Sequence, residues 1–251
     1  MTAMPYYRPA LARVHHEGFG SHGDACAPGI LAKLRPVRER GGVVLELGCG
    51  SGALTRHLVA AGHRVVATDA SPAMLALARE AVPGVEAFWR LALPDEHLPP
   101  ADAVVSVGHV LSYLPNALAI ERAFRAVAAA LRPDGVLAVD LLDCSYRSAR
   151  AEKAPVAMVR DEWAVFIAFD SPHPEIYARD ITTFVRSASG AWQRDDERHV
   201  NVLVHGPDVV RLLADEGVEA EVARGFDDRQ RLEEGLVAIT GVRRQPEGAR
   251  G

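Results

Sequence analysis

The sequence predicts an α/β protein: a Rossmann-like, seven-stranded, mostly parallel sheet with its last strand antiparallel, an antiparallel β insert and an N-terminal helical lid. Three observations predict it. Between 43 and 142, short apolar strands alternate with amphipathic helices through short links, the pattern of a doubly wound parallel sheet. The first strand runs straight into Gly48-Cys49-Gly50-Ser51-Gly52. After 142 the rhythm breaks into three strand-like segments separated by turn residues, which reads as an antiparallel meander.

Each element follows from its own residues. Residues 5–20 carry three aromatics and the pair His15-His16, and 27–40 places Ile30, Leu31, Leu34 and Val37 on one helical stripe. Val43–Leu47 is a short apolar run ending in glycines, a buried strand. Helical spacing of Leu54 and Leu58 predicts a helix over 53–61, stopped at Gly62. The second strand is expected at 65–68. Ser71-Pro72 then supplies an N-cap and a proline at the first helical position, for a helix reaching about 81. Strands are expected at 85–90 and 103–107, a helix at 116–131 closed by Pro133-Asp134-Gly135, and a fifth strand at 136–142. The meander occupies 162–170, Ile176–Arg186 and 191–204. A helix at 207–216 and strands at 218–224 and 236–242 complete the sheet, and the tail after 243 is expected to fray. One domain is expected over 1–251: lid and first helix at 1–40, ligand-binding core at 41–144, insert at 145–205 and sheet completion at 206–244.

Composition narrows the function. Across 251 residues, hydrophobic residues are 49% and charged ones 24%, an ordinary globular balance that supports a full core. The net charge of −5 comes without any basic run, which disfavours a nucleic-acid partner. Of the cations only Lys33 and Lys153 are lysines. The cysteines Cys26, Cys49 and Cys144 have no paired spacing, so neither a disulfide frame nor a zinc site is expected. His97 follows Asp95-Glu96 but lacks a second ligand pair, and no metal is expected. Residues 1–13 lack the apolar stretch of a signal peptide, and every apolar run is broken before 18 residues. A cytoplasmic protein with a small-molecule partner is expected, without membrane contact, as a monomer or homodimer.

The glycine turn carries the chemistry. A strand entering Gly-x-Gly-x-Gly and then a helix is suited to close backbone approach by a ligand. Asp69 lies 17 residues after Gly52 and ends the second strand, beside the first, where a carboxylate can accept both hydroxyls of a ribose. Gly48, Gly50 and Ala53 also satisfy the looser dinucleotide fingerprint, so a nicotinamide-dependent oxidoreductase is the rival reading. Charge separates the two. A dinucleotide brings pyrophosphate to the helix N-terminus, and Glu46 would repel it. S-adenosylmethionine brings a sulfonium and an ammonium, which Glu46 suits. A Tyr-x-x-x-Lys pair is also missing, since Tyr146 is followed four residues later by Arg150.

These residues resemble the class I S-adenosylmethionine-dependent methyltransferases, through Val44-Leu45-Glu46-Leu47-Gly48-Cys49-Gly50-Ser51-Gly52 and Thr68-Asp69-Ala70-Ser71-Pro72-Ala73-Met74. The resemblance spans roughly 40–142 by motif. It implies that Glu46, Gly48, Cys49, Gly50 and Gly52 surround the methionine portion of S-adenosylmethionine. It further implies that Asp69 holds the ribose and that Ala70 or Met74 flanks the adenine. The family commonly places an aspartate at the end of the third strand; here Leu91-Ala92-Leu93 stands instead, leaving adenine to backbone and apolar contact at Ala92 and Leu93. More loosely, Val14-His15-His16-Glu17-Gly18-Phe19-Gly20 and the insert look like small-molecule methyltransferases, including amino-sugar N-methyltransferases. No Asn-Pro-Pro-Tyr-like element follows the fourth strand, where enzymes acting on DNA bases usually carry one.

The expected product is S-adenosylhomocysteine plus a methylated small molecule, with N or O as the acceptor atom. Gly108 and His109 follow the fourth strand at the switch in strand order, where ligands lie in such sheets. His109 is the candidate general base, and His15 a second catalytic candidate in the lid. Tyr6, His16, Phe19 and Tyr113 are candidate substrate contacts, and so are Glu197 and His199 if their face of the meander turns inward. A non-catalytic S-adenosylmethionine-binding protein is the remaining alternative.

Overall fold

The burial alternation within single strands explains the layers. In β1 (Val43–Leu47), Val44 packs to one side of the sheet while Leu45 and Leu47 pack to the other. The computed structural model describes residues 6–150 and 154–245. The chain opens with α1 (Pro9–Gly18) and α2 (Ser21–Glu39), ahead of β1. Then come α3 (Thr55–Ala60), β2 (Arg64–Asp69), α4 (Pro72–Ala81), β3 (Ala87–Arg90) and β4 (Ala101–Ser106). A 3-10 turn at Val110–Tyr113 leads to α5 (Ala117–Ala130) and β5 (Leu131–Leu142). The insert holds α6 (Tyr146–Arg150), β6 (Val156–Val159), β7 (Trp163–His173), β8 (Ile176–Arg186) and β9 (Trp192–Val202). The chain returns through α7 (Gly206–Asp215), β10 (Val218–Ala223) and β11 (Leu236–Arg243).

The large sheet has seven strands in the order β3-β2-β1-β4-β5-β11-β10. Only β11 runs against its neighbours, pairing antiparallel with both β5 and β10. One face packs Leu45, Val104, Leu137 and Val139 against Phe124 and Val127 of α5 and Leu213 of α7. The other packs Val44, Val65, Ala103 and Val105 against Ile30 and Leu34 of α2, Leu58 of α3 and Leu75 of α4. Strand order reverses between β1 and β4, so the ends of those two strands open a crevice.

The second sheet has four strands, β6-β7-β8-β9, all antiparallel. The sequence led to three; β6, at four residues, is too short to stand out by alternation. Through Leu11 and Val14 of α1, the lid joins a small core with Trp163, Val165 and Ile181 of this sheet. Among the described residues, no helix is long and apolar enough to cross a membrane.

Several boundaries differ from the sequence reading. β5 begins at Leu131 rather than 136, so Pro133-Asp134-Gly135 lies inside the strand. Two others differ for tertiary reasons. The helix expected from 27 begins at Ser21, although Gly23 and Pro28 lie inside it. A Cβ at Gly23 would sit 3.0 Å from that of Ala53, so the glycine lets α2 lie against the start of the α3 segment. Fraying after 243 does not begin at once: the Arg244 amide donates to the Gly217 carbonyl at 2.9 Å. The rest of the tail expectation, 246–251, lies outside the described residues, as do 1–5 of the expected lid.

Candidate active site

The turn after β1 is held by its main chain. Gly48 and Gly50 adopt φ of +65° and +55°, in the left-handed region that favours glycine. A Cβ at Gly48 would meet Val110 Cγ2 at 2.4 Å, so the glycine admits the 3-10 turn after β4. Gly50 has open space where its Cβ would be, and its amide donates to Asp69 Oδ2 at 2.9 Å. The Cys49 amide donates to the Thr68 carbonyl at 2.8 Å, which fastens the turn to β2. Gly52 serves packing: its Cβ would lie 2.7 Å from Val82 Cγ2, and it does not line the cavity. That corrects the expectation that all three glycines face the ligand. Gly48→Ala is accordingly expected to cost several kcal/mol, from strain plus the clash with Val110, and to abolish ligand-induced stabilisation; parallel melts with and without cofactor check it.

Two carboxylates border the turn. Glu46 is 2% exposed, and its Oε2 has no hydrogen-bond partner. Burial, reinforced by the Asp69 charge, pushes its pKa up to about 7. Asp69 Oδ1 accepts from the Ser71 amide at 2.8 Å while Oδ2 accepts from Gly50, so each oxygen keeps a lone pair for a further donor. Burial also raises the Asp69 pKa, against those backbone bonds.

The turn opens onto a cavity of about 670 Å³, ample for a drug-sized ligand. Of the residues expected to hold the cofactor, Glu46, Gly48, Cys49 and Gly50 line it on the β1 side and Asp69, Ala70 and Met74 on the β2 side. Ala92 and Leu93, together with Gly108, close the ends beyond β3 and β4. Tyr6, His15, Phe19 and Tyr113 line the lid side.

The other candidates lie elsewhere. His16 is exposed on the outer face of α1, away from the cavity. Glu197 and His199 sit behind the wall, buried on the inner face of β9. Glu197 receives the Tyr7 and Arg8 amides, each at 2.8 Å, and His199 Nε2 lies 2.9 Å from its Oε2. This corrects their reading as substrate contacts: the carboxylate is consumed in tying the lid to the insert. Ser71 adds a second tie, donating from its hydroxyl to the Tyr7 carbonyl at 2.8 Å while accepting from the Met74 amide. Glu197→Ala is expected to release the segment around Tyr7, seen as faster hydrogen exchange at the Tyr7 and Arg8 amides with little change in β1.

His109 departs furthest from expectation. It takes a left-handed φ of +49°, and its ring stacks on Tyr113 at 5.7 Å without joining the cavity wall. Burial and then the Arg179 guanidinium lower its pKa to about 3. So weak a base takes up a proton poorly at neutral pH, and the general-base expectation is corrected. His15 does face the cavity. Its Nδ1 is buried and without a partner, and burial and Arg179 bring its pKa down to about 4.

Sequence reading missed Tyr7, His22, Asp140 and Arg179. Asp140, fully buried in β5, accepts from the Gly108 amide at 3.0 Å and the His109 amide at 2.6 Å, and lies 2.6 Å from His22 Nε2. Although burial opposes it, this pairing raises the His22 pKa to about 10. A lone acid inside the apolar run 136–142 was the available signal. Tyr7, Tyr113, His199 and Arg179 form one chain: the two phenols at 3.0 Å, Tyr113 with His199 Nδ1 at 3.2 Å, and Arg179 Nη2 donating to Tyr113.

Comparison with known proteins agrees with this geometry. The profile of a methyltransferase domain matches residues 45–137, which carry the turn, both carboxylates and the Gly108 loop. A Geobacillus sp. (strain WCH70) protein named as a methyltransferase is 26% identical over 183 residues, covering 70% of this chain and 74% of that one. Among solved structures, an S-adenosylmethionine-dependent methyltransferase from Clostridium acetobutylicum ATCC 824 superposes with a TM-score of 0.78 at 17% identity, over 94% of this chain and 98% of that one. A sugar N-methyltransferase from Streptoalloteichus sp ATCC 53650 gives 0.73 at 22% identity, over 98% and 97%. The chain thus carries a methyltransferase domain over residues 45–137 and shares the fold of S-adenosylmethionine-dependent methyltransferases.

Proposed function

We propose that this enzyme binds S-adenosylmethionine along the Gly48–Gly52 turn and transfers its methyl group to nitrogen or oxygen of a small-molecule acceptor held between turn, lid and insert. The observation that carries the reading is Glu46: a buried carboxylate whose Oε2 lacks a partner, at the edge of the cavity. An orphaned anion of this kind fits a cationic ligand and disfavours a pyrophosphate. Asp69, with a lone pair free on each oxygen, would take the ribose hydroxyls, and Met74 and Leu93 the adenine faces.

When bound, the cofactor supplies an electrophilic methyl carbon on a sulfonium. The chain's own task is placement. The Asp69 bonds to Gly50 and Ser71 keep the turn rigid, the Glu197 tie keeps the lid over the cavity, and Phe19, stacked on His15 at 5.8 Å, limits water. Such alignment can contribute roughly 7–11 kcal/mol toward an in-line displacement. An acceptor nitrogen or oxygen that took up this methyl group would have to shed a proton. His15 Nδ1, buried beside the cavity and without a partner, would accept a hydrogen bond from the acceptor and orient it, while so low a pKa leaves the proton itself to solvent.

A sugar-like or natural-product acceptor is the reading supported by the likeness to the Streptoalloteichus sugar N-methyltransferase, whose coverage includes lid and insert. Incubating the enzyme with S-adenosylmethionine and a panel of amino sugars and hydroxylated natural products, and following S-adenosylhomocysteine release, tests it. Acceptor-dependent release is expected; cofactor binding with no turnover on any acceptor would favour the non-catalytic reading. His109→Ala is expected to leave the pH profile of kcat unchanged between pH 6 and 9. Loss of an acid-side limb there would restore His109 as the base.

A further inference from the structure

Among the described residues, the insert holds one half-buried guanidinium, that of Arg179, without an ion-pair partner. Arg179 projects from the inner face of β8, directly opposite His199 of β9. Its Nη2 donates to the Tyr113 hydroxyl and, at 3.1 Å, to Asn201 Oδ1. Its Nε is cut off from solvent without a partner, and its Nη1 makes no hydrogen bond among the described residues. Asn201 is fully buried, and its Nδ2 is likewise buried and without a partner. Two adjacent side chains thus each keep a buried donor without an acceptor.

Nor does a carboxylate neutralise the charge: among the described residues Arg179 forms no ion pair. Its surroundings are the phenols of Tyr7 and Tyr113, the imidazoles of His15 and His109, and His199. All three imidazoles are pushed toward the neutral form, with burial the largest cause and Arg179 contributing to each. The Glu197 carboxylate, two residues from His199, is taken by the lid amides. Leaving a guanidinium half-buried and unpaired is costly, and its planar fork matches carboxylate and phosphate oxygens in pairs. Tyr113, which Arg179 contacts, is itself part of the cavity wall.

We infer that the acceptor carries an oxyanion group, carboxylate or phosphate, which Arg179 and Asn201 bind behind the Tyr113 hydroxyl. This rests on the methyltransferase reading for the word acceptor, but the anion site is testable without turnover. The charge would place the acceptor by its acidic end, leaving its nucleophilic nitrogen or oxygen to reach toward the glycine turn.

The test is thermal unfolding of the enzyme loaded with S-adenosylhomocysteine, in sodium acetate, sodium phosphate or sodium chloride at equal ionic strength. Acetate or phosphate is expected to raise Tm by about 3 °C over chloride when tenfold above its Kd. The arm that responds tells carboxylate from phosphate. Arg179→Met should lose that rise, and should itself melt no lower than the parent, because it removes an unpaired charge. Arg179→Lys should keep part of the rise, and carries the test should the methionine variant not fold. Equal melting in all three salts, or an anion response unchanged in the variants, overturns the inference. If S-adenosylhomocysteine itself fails to raise Tm, the cofactor reading fails instead, whatever the anions do.

Discussion

Glu46→Gln is expected to make the free enzyme more stable above pH 7 while taking away most of its affinity for S-adenosylmethionine. The folded pKa of Glu46, about 7, lies above its unfolded value near 4.5. The sign follows from linkage: a carboxyl whose pKa rises on folding favours the native state fully below the unfolded pKa. That contribution is lost as pH rises through the folded pKa. Above pH 7 the free enzyme therefore carries a charge penalty on the order of 3 kcal/mol. Glutamine removes it, and Tm at pH 8 should rise by about 5–10 °C for a chain of this size. Binding shows the opposite. In the parent, a cationic ligand needs the ionised carboxylate, so affinity should strengthen as pH climbs from 6 to 8. In the variant the affinity should be weaker by roughly 10–100-fold at pH 8, the range for a buried charge-assisted contact, and flat with pH. Melting curves and calorimetric titrations at the two pH values check both halves. A variant that melts higher yet binds equally well would mean Glu46 faces no cation.

Asp140→Ala should be among the most destabilising single changes at the site. Its carboxylate is fully buried and holds two amides and His22 at once. Removing it leaves the Gly108 and His109 amides without an acceptor and His22 without its partner. Losing one side of such a buried pair costs about 3–5 kcal/mol, or roughly 10 °C in Tm. The left-handed His109 would lose the bond that pays for its strain, so the loop beside the cavity should loosen as well. A pH signature separates this from generic damage. The folded pKa of His22, about 10, lies above its unfolded value of 6.5. Its stabilisation is complete below about 6.5 and fades as pH rises toward 10, so the parent should weaken across that window and the variant should not. Equal pH slopes in both proteins would show that His22 and Asp140 are not linked as described.

What the sequence made legible was whatever spacing alone fixes. The strand–glycine–helix unit and Asp69 sit where chain order must bring them, because β1 and β2 pair in register from Val43↔Arg64 to Leu47↔Thr68. The residues of the two ends therefore meet around one cavity. The sequence was silent wherever a side chain's meaning depends on what packs over it. His109 stands at the right place in the topology, yet burial and a guanidinium from a distant strand deprive it of basicity. The alternation in 194–199 said that half of those residues would face inward; it could not say that Glu197 would be spent on the backbone of the lid. Arg179 and Asn201 gave no local signal, since their importance arises from β8 and β9 pairing in the register that joins Tyr177 with Asn201.

The most direct test of the central claim is calorimetry of the parent enzyme at pH 8 with S-adenosylmethionine, S-adenosylhomocysteine and a nicotinamide dinucleotide in turn. Stoichiometric heat from the first two and none from the third is the predicted result, with the heat from S-adenosylmethionine weakened at pH 6. Heat from the dinucleotide alone would contradict it, and would reassign the glycine turn to phosphate binding despite Glu46.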